Sequence, residues 1–127
     1  MGKIHMIILT GASGGIGKEL VKHLVAIDEV LGIYNSSPPE STDKRLYYEK
    51  LNLEKAEEIL SFSKKWGPTA SQLTLIHAAA SKKDALVVNY QKADWERAMS
   101  INLTANFLLS QAILPFMIQK RWGRIIH

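Results

Sequence analysis

Short apolar runs alternate along the chain with segments whose apolar positions return every three or four residues, the pattern of strands alternating with helices. Ile4 to Leu9 is the first run, and it passes directly into Thr10-Gly11, which predicts a strand buried on both faces of a parallel sheet. From Gly15 the period turns helical: Ile16, Leu20 and Leu24 share one face, while Lys18, Glu19, Lys22 and His23 turn elsewhere. Val30 to Tyr34 predicts a second strand. Asn35-Ser36-Ser37-Pro38-Pro39 then reads as a loop, because neither proline offers an N–H to regular structure. Arg45 to Leu51 predicts a third strand, and Glu54 to Trp66 a helix with Ala56, Ile59 and Leu60 inward, stopped by Gly67-Pro68.

Leu73 to His77 predicts a fourth strand, ending in the small residues Ala78-Ala79-Ala80-Ser81. Asp94 is placed to cap a long apolar helix containing Trp95, Met99, Leu103, Leu109 and Ile113, with Pro115 expected to kink or end it. Gly123 to His127 has the pattern of a fifth strand just beginning. Strands alternating with helices call for right-handed crossovers and hence a doubly wound, mostly parallel α/β sheet, for which the expected strand order is 3-2-1-4-5. The 127 residues suit one domain, residues 1–127, and no internal repeat or low-complexity tract competes with that reading.

Composition narrows the partners. With 46% hydrophobic and 22% charged residues, the chain has the apolar side chains that a packed core needs and disordered chains lack. The net charge of +4 is scattered, its densest clusters being pairs such as Lys64-Lys65 and Lys82-Lys83. Trp66, Trp95 and Trp122 are not interleaved with a basic stripe, so no nucleic-acid partner is expected. The chain has no cysteine, which leaves no disulfide framework or thiolate metal site and makes the cytoplasm the expected compartment. His5, His23, His77 and His127 show no ligand spacing, and no metal is expected. Met6 to Leu9 is too short for a signal-peptide core, no later run is expected to reach the length of a membrane span, and after Met1-Gly2 the position where an acylation signal wants Ser or Thr holds Met6. No membrane anchor is expected.

The candidate chemistry lies in Thr10-Gly11-Ala12-Ser13-Gly14-Gly15-Ile16-Gly17, between the first predicted strand and the first predicted helix. In that context Gly11 suits a sharp turn, Gly15 a close backbone approach to a pyrophosphate, and Gly17 tight packing of the helix. The free N–H groups at the helix start, those of Gly15, Ile16 and Gly17, carry with the aligned peptide dipoles roughly +0.5 charge. The Ser13 hydroxyl adds a donor. Lys18 follows Gly17, but neither the preceding glycine nor Glu19 fits a triphosphate-binding P-loop. The loop therefore predicts a dinucleotide.

With Thr-Gly-x-x-x-Gly-x-Gly at residues 10 to 17, the chain resembles the short-chain dehydrogenase/reductase family. Trp95 to Phe107, with Asn102 in Ile-Asn-Leu, looks like that family's fourth helix and its catalytic asparagine, and Leu114-Pro115-x-Met117 with Gly123-Arg124-Ile125-Ile126 resembles the approach to its fifth strand. The resemblance implies a Rossmann-like NAD(P)-binding domain in which Asn102 holds a water of a proton relay. Where the family has Asn-Asn-Ala-Gly after the fourth strand, this chain has His77-Ala78-Ala79-Ala80, which keeps small residues, Ala78 and Ala79, beside the cofactor. Asn52-Leu53 stands where the family often has an Asp contacting adenine. Members that use NAD are expected to end the second strand with an acid, but Val30 to Pro39 contains none, and Asn35, Ser36 and Ser37 offer donors to a 2′-phosphate. NADP(H) is thus the expected cofactor, with NAD(H) the rival.

The family's catalytic Ser and Tyr-x-x-x-Lys find no counterpart: Tyr34, Tyr47, Tyr48 and Tyr90 are followed four residues on by Pro38, Leu51, Asn52 and Asp94. The resemblance therefore implies the cofactor-binding, N-terminal portion of a hydride-transferring oxidoreductase acting on a carbonyl or alcohol, with those residues beyond His127 in the parent. It also implies a homo-oligomer through the fourth helix. Two other readings stay open, a non-catalytic nucleotide-binding or regulatory module, and a half-domain completed by another chain.

Overall fold

A strand that is apolar on both sides can be satisfied only between two neighbouring strands with a layer packed on each face. The computed structural model, which describes residues 4–41 and 43–127, puts β1 (His5–Thr10) in that position. Met1 and Gly2, which bear on the acylation signal, lie outside the described residues. β1 pairs in parallel with β2 (Glu29–Tyr34) on one side and β4 (Gln72–His77) on the other, and Ile8 lies in register with Leu31 and Leu75. β3 (Leu46–Lys50) extends the sheet beyond β2 and β5 (Arg124–Ile126) beyond β4, giving the expected order β3-β2-β1-β4-β5. The domain is a Rossmann-like doubly wound sheet.

The pleat sends alternate residues to opposite faces. Met6, Ile8, Leu31, Ile33, Leu73 and Leu75 meet Ile59 and Phe62 of α2 (Ala56–Trp66) and Leu109, Ile113 and Met117 of α4 (Ala105–Gln119). On the opposite face Leu9 packs with Ala12 and Val21 beneath α1 (Gly15–Leu24). Among the described residues no helix lies between β2 and β3, so α1 is the only helix on that face. At the N-terminal edge of the sheet His5 joins three segments: Nδ1 donates to the Asp28 carboxylate at 2.7 Å, and Nε2 lies 2.8 Å from Thr74 Oγ1.

Several expected faces are corrected by these contacts. Ile16 is 73% exposed, because the side of α1 turned to the sheet runs through Gly17 and Val21, and Ile16 is rotated off it. In α2 the inward residues are Ile59, Phe62 and Ser63, whereas Ala56 and Leu60 are exposed. Asp94 is not a cap: α3 (Lys92–Met99) begins two residues earlier, after Gln91, and the Asp94 carboxylate in its first turn accepts from Lys83 Nζ at 2.6 Å. Pro115 does not end its helix, which continues to Gln119 with Ile113 and Met117 buried on either side of it.

α3 and α4 are continuous through a widened π-turn, Ser100–Thr104. The resulting helix, Lys92–Gln119, is 28 residues long and has a mean hydropathy of 1.5 over its best 18-residue window. By length and composition it is long and apolar enough to cross a membrane, contrary to the expectation that no run reaches that length. Its C-terminal half packs on the sheet through Leu109, Ile113 and Met117. Trp95, Leu103, Phe107, Leu114 and Ile118 are exposed along its length.

Candidate functional site

In a parallel sheet every strand ends at the same edge, and a crevice opens where the strand order reverses. Here the reversal lies between β1 and β4, so Thr10-Gly11 and Ala78-Ala79 leave the sheet side by side and in opposite directions along it. The Thr10 hydroxyl, wholly buried, accepts the N–H groups of Ala78 at 3.1 Å and Ala79 at 3.2 Å. One side chain thereby holds the two loops together.

The next residue has no room for a side chain. Gly11 adopts φ +69°, and a Cβ there would stand 2.6 Å from Ala79 N and 2.7 Å from Ala78 C. Its carbonyl oxygen accepts from Gly14 N–H at 3.0 Å, and a Cβ on Gly17 would come within 1.9 Å of that same oxygen. Gly17 is therefore needed for approach to the loop's own backbone, not to the strands as its expected packing role had it. A Cβ on Gly15, by contrast, would meet nothing within 4 Å, so that backbone faces open space. Ala12 N–H donates to the Ile33 carbonyl at 3.1 Å and ties the loop to β2.

The first intrahelical bond of α1 runs from Lys18 N–H to the Gly14 carbonyl. The N–H groups of Gly15, Ile16 and Gly17 precede it and have no acceptor within the helix. Gly14 supplies no side-chain cap, and no acidic residue stands in the first turn. An uncapped, positively polarised turn beside an open backbone fits an anionic diphosphate.

A cleft of about 380 Å³ along this edge brings together Gly11, Ser13, Asn35, Asn52, Leu53, Ala78 and Ala79. Gly15, Ile16, Gly17, Ser36 and Asn102 do not line it. Ser36 belongs to an adjoining shelf that shares Asn35 and Asn52 with the cleft. Asn52 is partly committed: its N–H donates to Glu58 Oε2 and its Oδ1 accepts from Glu54 N–H, both at 3.0 Å. Its Nδ2 has no partner among the described residues.

Asn102 lies in the widened turn, with its side chain directed to the loop after β4. Its Oδ1 accepts from Ser81 N–H at 2.7 Å and its Nδ2 donates to the Ser81 carbonyl at 2.9 Å. Both ends of the amide are thus occupied by one backbone unit, and Ser81 itself lines the cleft. Widened turns of this kind recur at functional sites.

Sequence reasoning missed Thr10, Lys82 and Arg97. The last two line the cleft, and Arg97 Nε reaches to 3.9 Å from Glu54 Oε2 across it. The four-residue step from Arg97 to Ile101, both on the cleft side, was the available signal.

His77 closes the end of β4. Its Nε2 is 3.0 Å from Ser110 Oγ, its Nδ1 is buried without a partner, and its ring stacks on that of His127 at 4.8 Å. Burial, and secondarily the charge of His127, pushes its pKa from 6.5 down to about 4. At neutral pH this imidazole is uncharged.

A family model described as short chain dehydrogenase matches residues 5–127. The chain is 29% identical over 127 residues to nodulation protein G of a Rhizobium species, covering 94% of this chain and 52% of that protein. It is 33% identical over 127 residues to a 3-oxoacyl-[acyl-carrier-protein] reductase of Buchnera aphidicola, covering 93% of this chain and 51% of that one. The chain spans about half the length of the curated relatives it matches. Among solved structures, a short-chain dehydrogenase from Streptomyces avermitilis superposes with TM-score 0.87 at 17% identity, over 98% of this chain and 48% of that one. One from Leptospira borgpetersenii with bound NAD+ gives 0.85 at 21%, over 97% and 50%. These two likenesses show the fold.

Two outcomes follow from this geometry. Thr10→Val keeps the shape and removes the acceptor of two N–H groups, and should cost about 1–3 kcal/mol in urea unfolding; Thr10→Ser should restore most of it. A valine variant as stable as the parent contradicts the clasp. For His77, the folded pKa lies below the unfolded one, so the unfolded state takes up the proton first and stability falls as pH drops from 6.5 towards 4. Between pH 7 and 5 the melting temperature should fall more steeply for the parent than for His77→Asn, and parallel slopes contradict the assignment.

Proposed function

The chain belongs to the short chain dehydrogenase family, and on that premise we propose that its cleft binds a nicotinamide dinucleotide, NADP(H) in preference to NAD(H). We read the chain as the cofactor-binding portion of an oxidoreductase acting on a carbonyl/alcohol pair. The observation that carries this reading is the uncapped first turn of α1, open at Gly15 and fixed against the β4 loop at Gly11.

The bound cofactor supplies the hydride acceptor or donor; this chain's residues bind and orient it. The N–H groups of Gly15, Ile16 and Gly17, with the Ser13 hydroxyl, take the diphosphate. Asn35 and Ser36 face the adenosine ribose, and the free Nδ2 of Asn52 and the backbone of Leu53 face adenine. Ala78 and Ala79 keep the approach to the nicotinamide end narrow and uncharged. Asn102 acts here as a positioning residue, holding Ser81 at the cleft wall. No tyrosine of the chain has a lysine four residues on, so the proton-transfer step is assigned to none of them.

The preference for NADP(H) rests on residues 30–39, which contain no carboxylate to bind a ribose 2′-hydroxyl and repel a 2′-phosphate. Similarity to 3-oxoacyl-[acyl-carrier-protein] reductases supports a ketone and its secondary alcohol as the substrate pair. The exposed apolar side of the Lys92–Gln119 helix supports its use as a contact with a second copy.

Titration of the protein with NADPH and NADH, followed by cofactor fluorescence, tests the reading. Saturable binding is expected for NADPH, more weakly for NADH, and Gly11→Ala should weaken both by roughly tenfold or more, since the added Cβ displaces the loop. A folded protein that binds neither cofactor overturns it.

A further inference from the structure

The shelf beside the cleft is lined by Asn35, Ser36, Lys50, Asn52, Lys55 and Glu58, with a volume of about 620 Å³. It adjoins the end of β2, where a dinucleotide's adenosine ribose lies if the proposed function holds. Lys50 ends β3 in register with Tyr34, the last residue of β2, and the Leu51 N–H donates to the Tyr34 carbonyl at 2.9 Å. Lys50 is thus set beside Asn35 and Ser36 by sheet pairing, which is a rigid constraint. Lys55 comes from the opposite side, where it precedes the first turn of α2.

The one carboxylate on the shelf is already engaged. Glu58 Oε2 accepts the Asn52 N–H at 3.0 Å, and Oε1 lies 3.5 Å from Lys55 Nζ. The Asn52 N–H above all, and then Lys55 and Lys50, hold its carboxyl below the usual carboxylate range. Glu49, the other nearby acid, is bound to Lys65 by two contacts of 2.9 Å. Among the described residues no hydrogen bond or ion pair engages Lys50 Nζ. The shelf therefore holds two ammonium groups against one neutralised carboxylate, with a hydroxyl and two side-chain amides between them.

We propose that Lys50 and Lys55, converging with Ser36 on the shelf that continues the cofactor cleft, form the subsite for the 2′-phosphate and are the residues that select NADP(H). The proposal rests on the dinucleotide reading above. A compact dianion with three acceptor oxygens matches two lysines and a hydroxyl, whereas a ribose 2′-hydroxyl gives neither lysine a charge to meet. The cations come from β3 and the start of α2, and the second strand contributes only neutral donors.

The test measures dissociation constants for NADPH, NADH, adenosine 2′,5′-bisphosphate and adenosine 5′-monophosphate. It compares the parent protein, Lys50→Ala combined with Lys55→Ala, and Lys50→Arg combined with Lys55→Arg. Both lysines are exposed, so folding should be unaffected, which circular dichroism checks. The alanine pair should weaken NADPH and the bisphosphate by roughly tenfold, leave NADH and the monophosphate within about twofold, and be rescued by the arginine pair. Equal weakening of phosphorylated and unphosphorylated ligands, or no weakening of either, overturns the subsite while leaving dinucleotide binding in place. A parent protein that prefers NADH overturns the preference and the subsite together, and one that binds none of the four overturns the dinucleotide reading as well.

Discussion

At the C-terminal end of β1 three backbone segments meet without room for a side chain. The Gly11 carbonyl lies under Gly17, its α-carbon lies against Ala78 and Ala79, and Thr10 holds those two alanines by their N–H groups. Everything functional at this edge depends on that crossing. It sets where α1 starts, and so where its unsatisfied N–H groups point. It also fixes the separation of the loops after β1 and β4, which is the width of the cleft. A methyl group at Gly11 or Gly17 has no relief except movement of backbone, so the constraint is local and severe.

The sheet supplies the rigidity behind this edge. Central β1 is buried through Met6, Ile7, Ile8 and Leu9, and the face turned to α2 and α4 carries the larger core. The face beneath α1 is thinner, because the β2–β3 connection adds no helix to it among the described residues. Polar groups inside are placed where strands need cross-ties. His5 links Asp28 and Thr74 at one edge, and Thr10 links the loops at the other. Lys120 Nζ donates to the carbonyls of Gly67 and Ala70, joining the end of α4 to the turn before β4.

Strand order and the glycine loop were legible in the sequence because both are written in local residue choice. Apolar runs ending in small residues mark buried parallel strands, and a glycine at each of Gly11 and Gly17 marks contacts that no other residue makes. Helix faces were less legible. Ile16 and Leu60 fit an apolar period but lie off the sheet, since the orientation of α1 is set by Gly17 and that of α2 by Ile59 and Phe62. Asp94 has the residue type of a cap, yet the helix starts where Gln91 turns, and Pro115 sits where its missing N–H is tolerated. The clasp of Thr10 was invisible because its partners are 68 and 69 residues away. Lys50, Lys55 and Arg97 read as solvated surface until the sheet edge brings them to the cleft. Asn102 was found by resemblance, and its two bonds to Ser81 became visible only in the fold.

The central claim is that the first turn of α1 is held open to receive a diphosphate. Amide chemical shifts in a 15N-labelled sample titrated with adenosine diphosphate test it without any catalytic readout. The account predicts that the largest changes fall on Gly11 and on Ser13 to Gly17, with smaller ones at Asn35, Asn52 and Ala79. Saturating binding that leaves the amides of Gly15, Ile16 and Gly17 unmoved contradicts it.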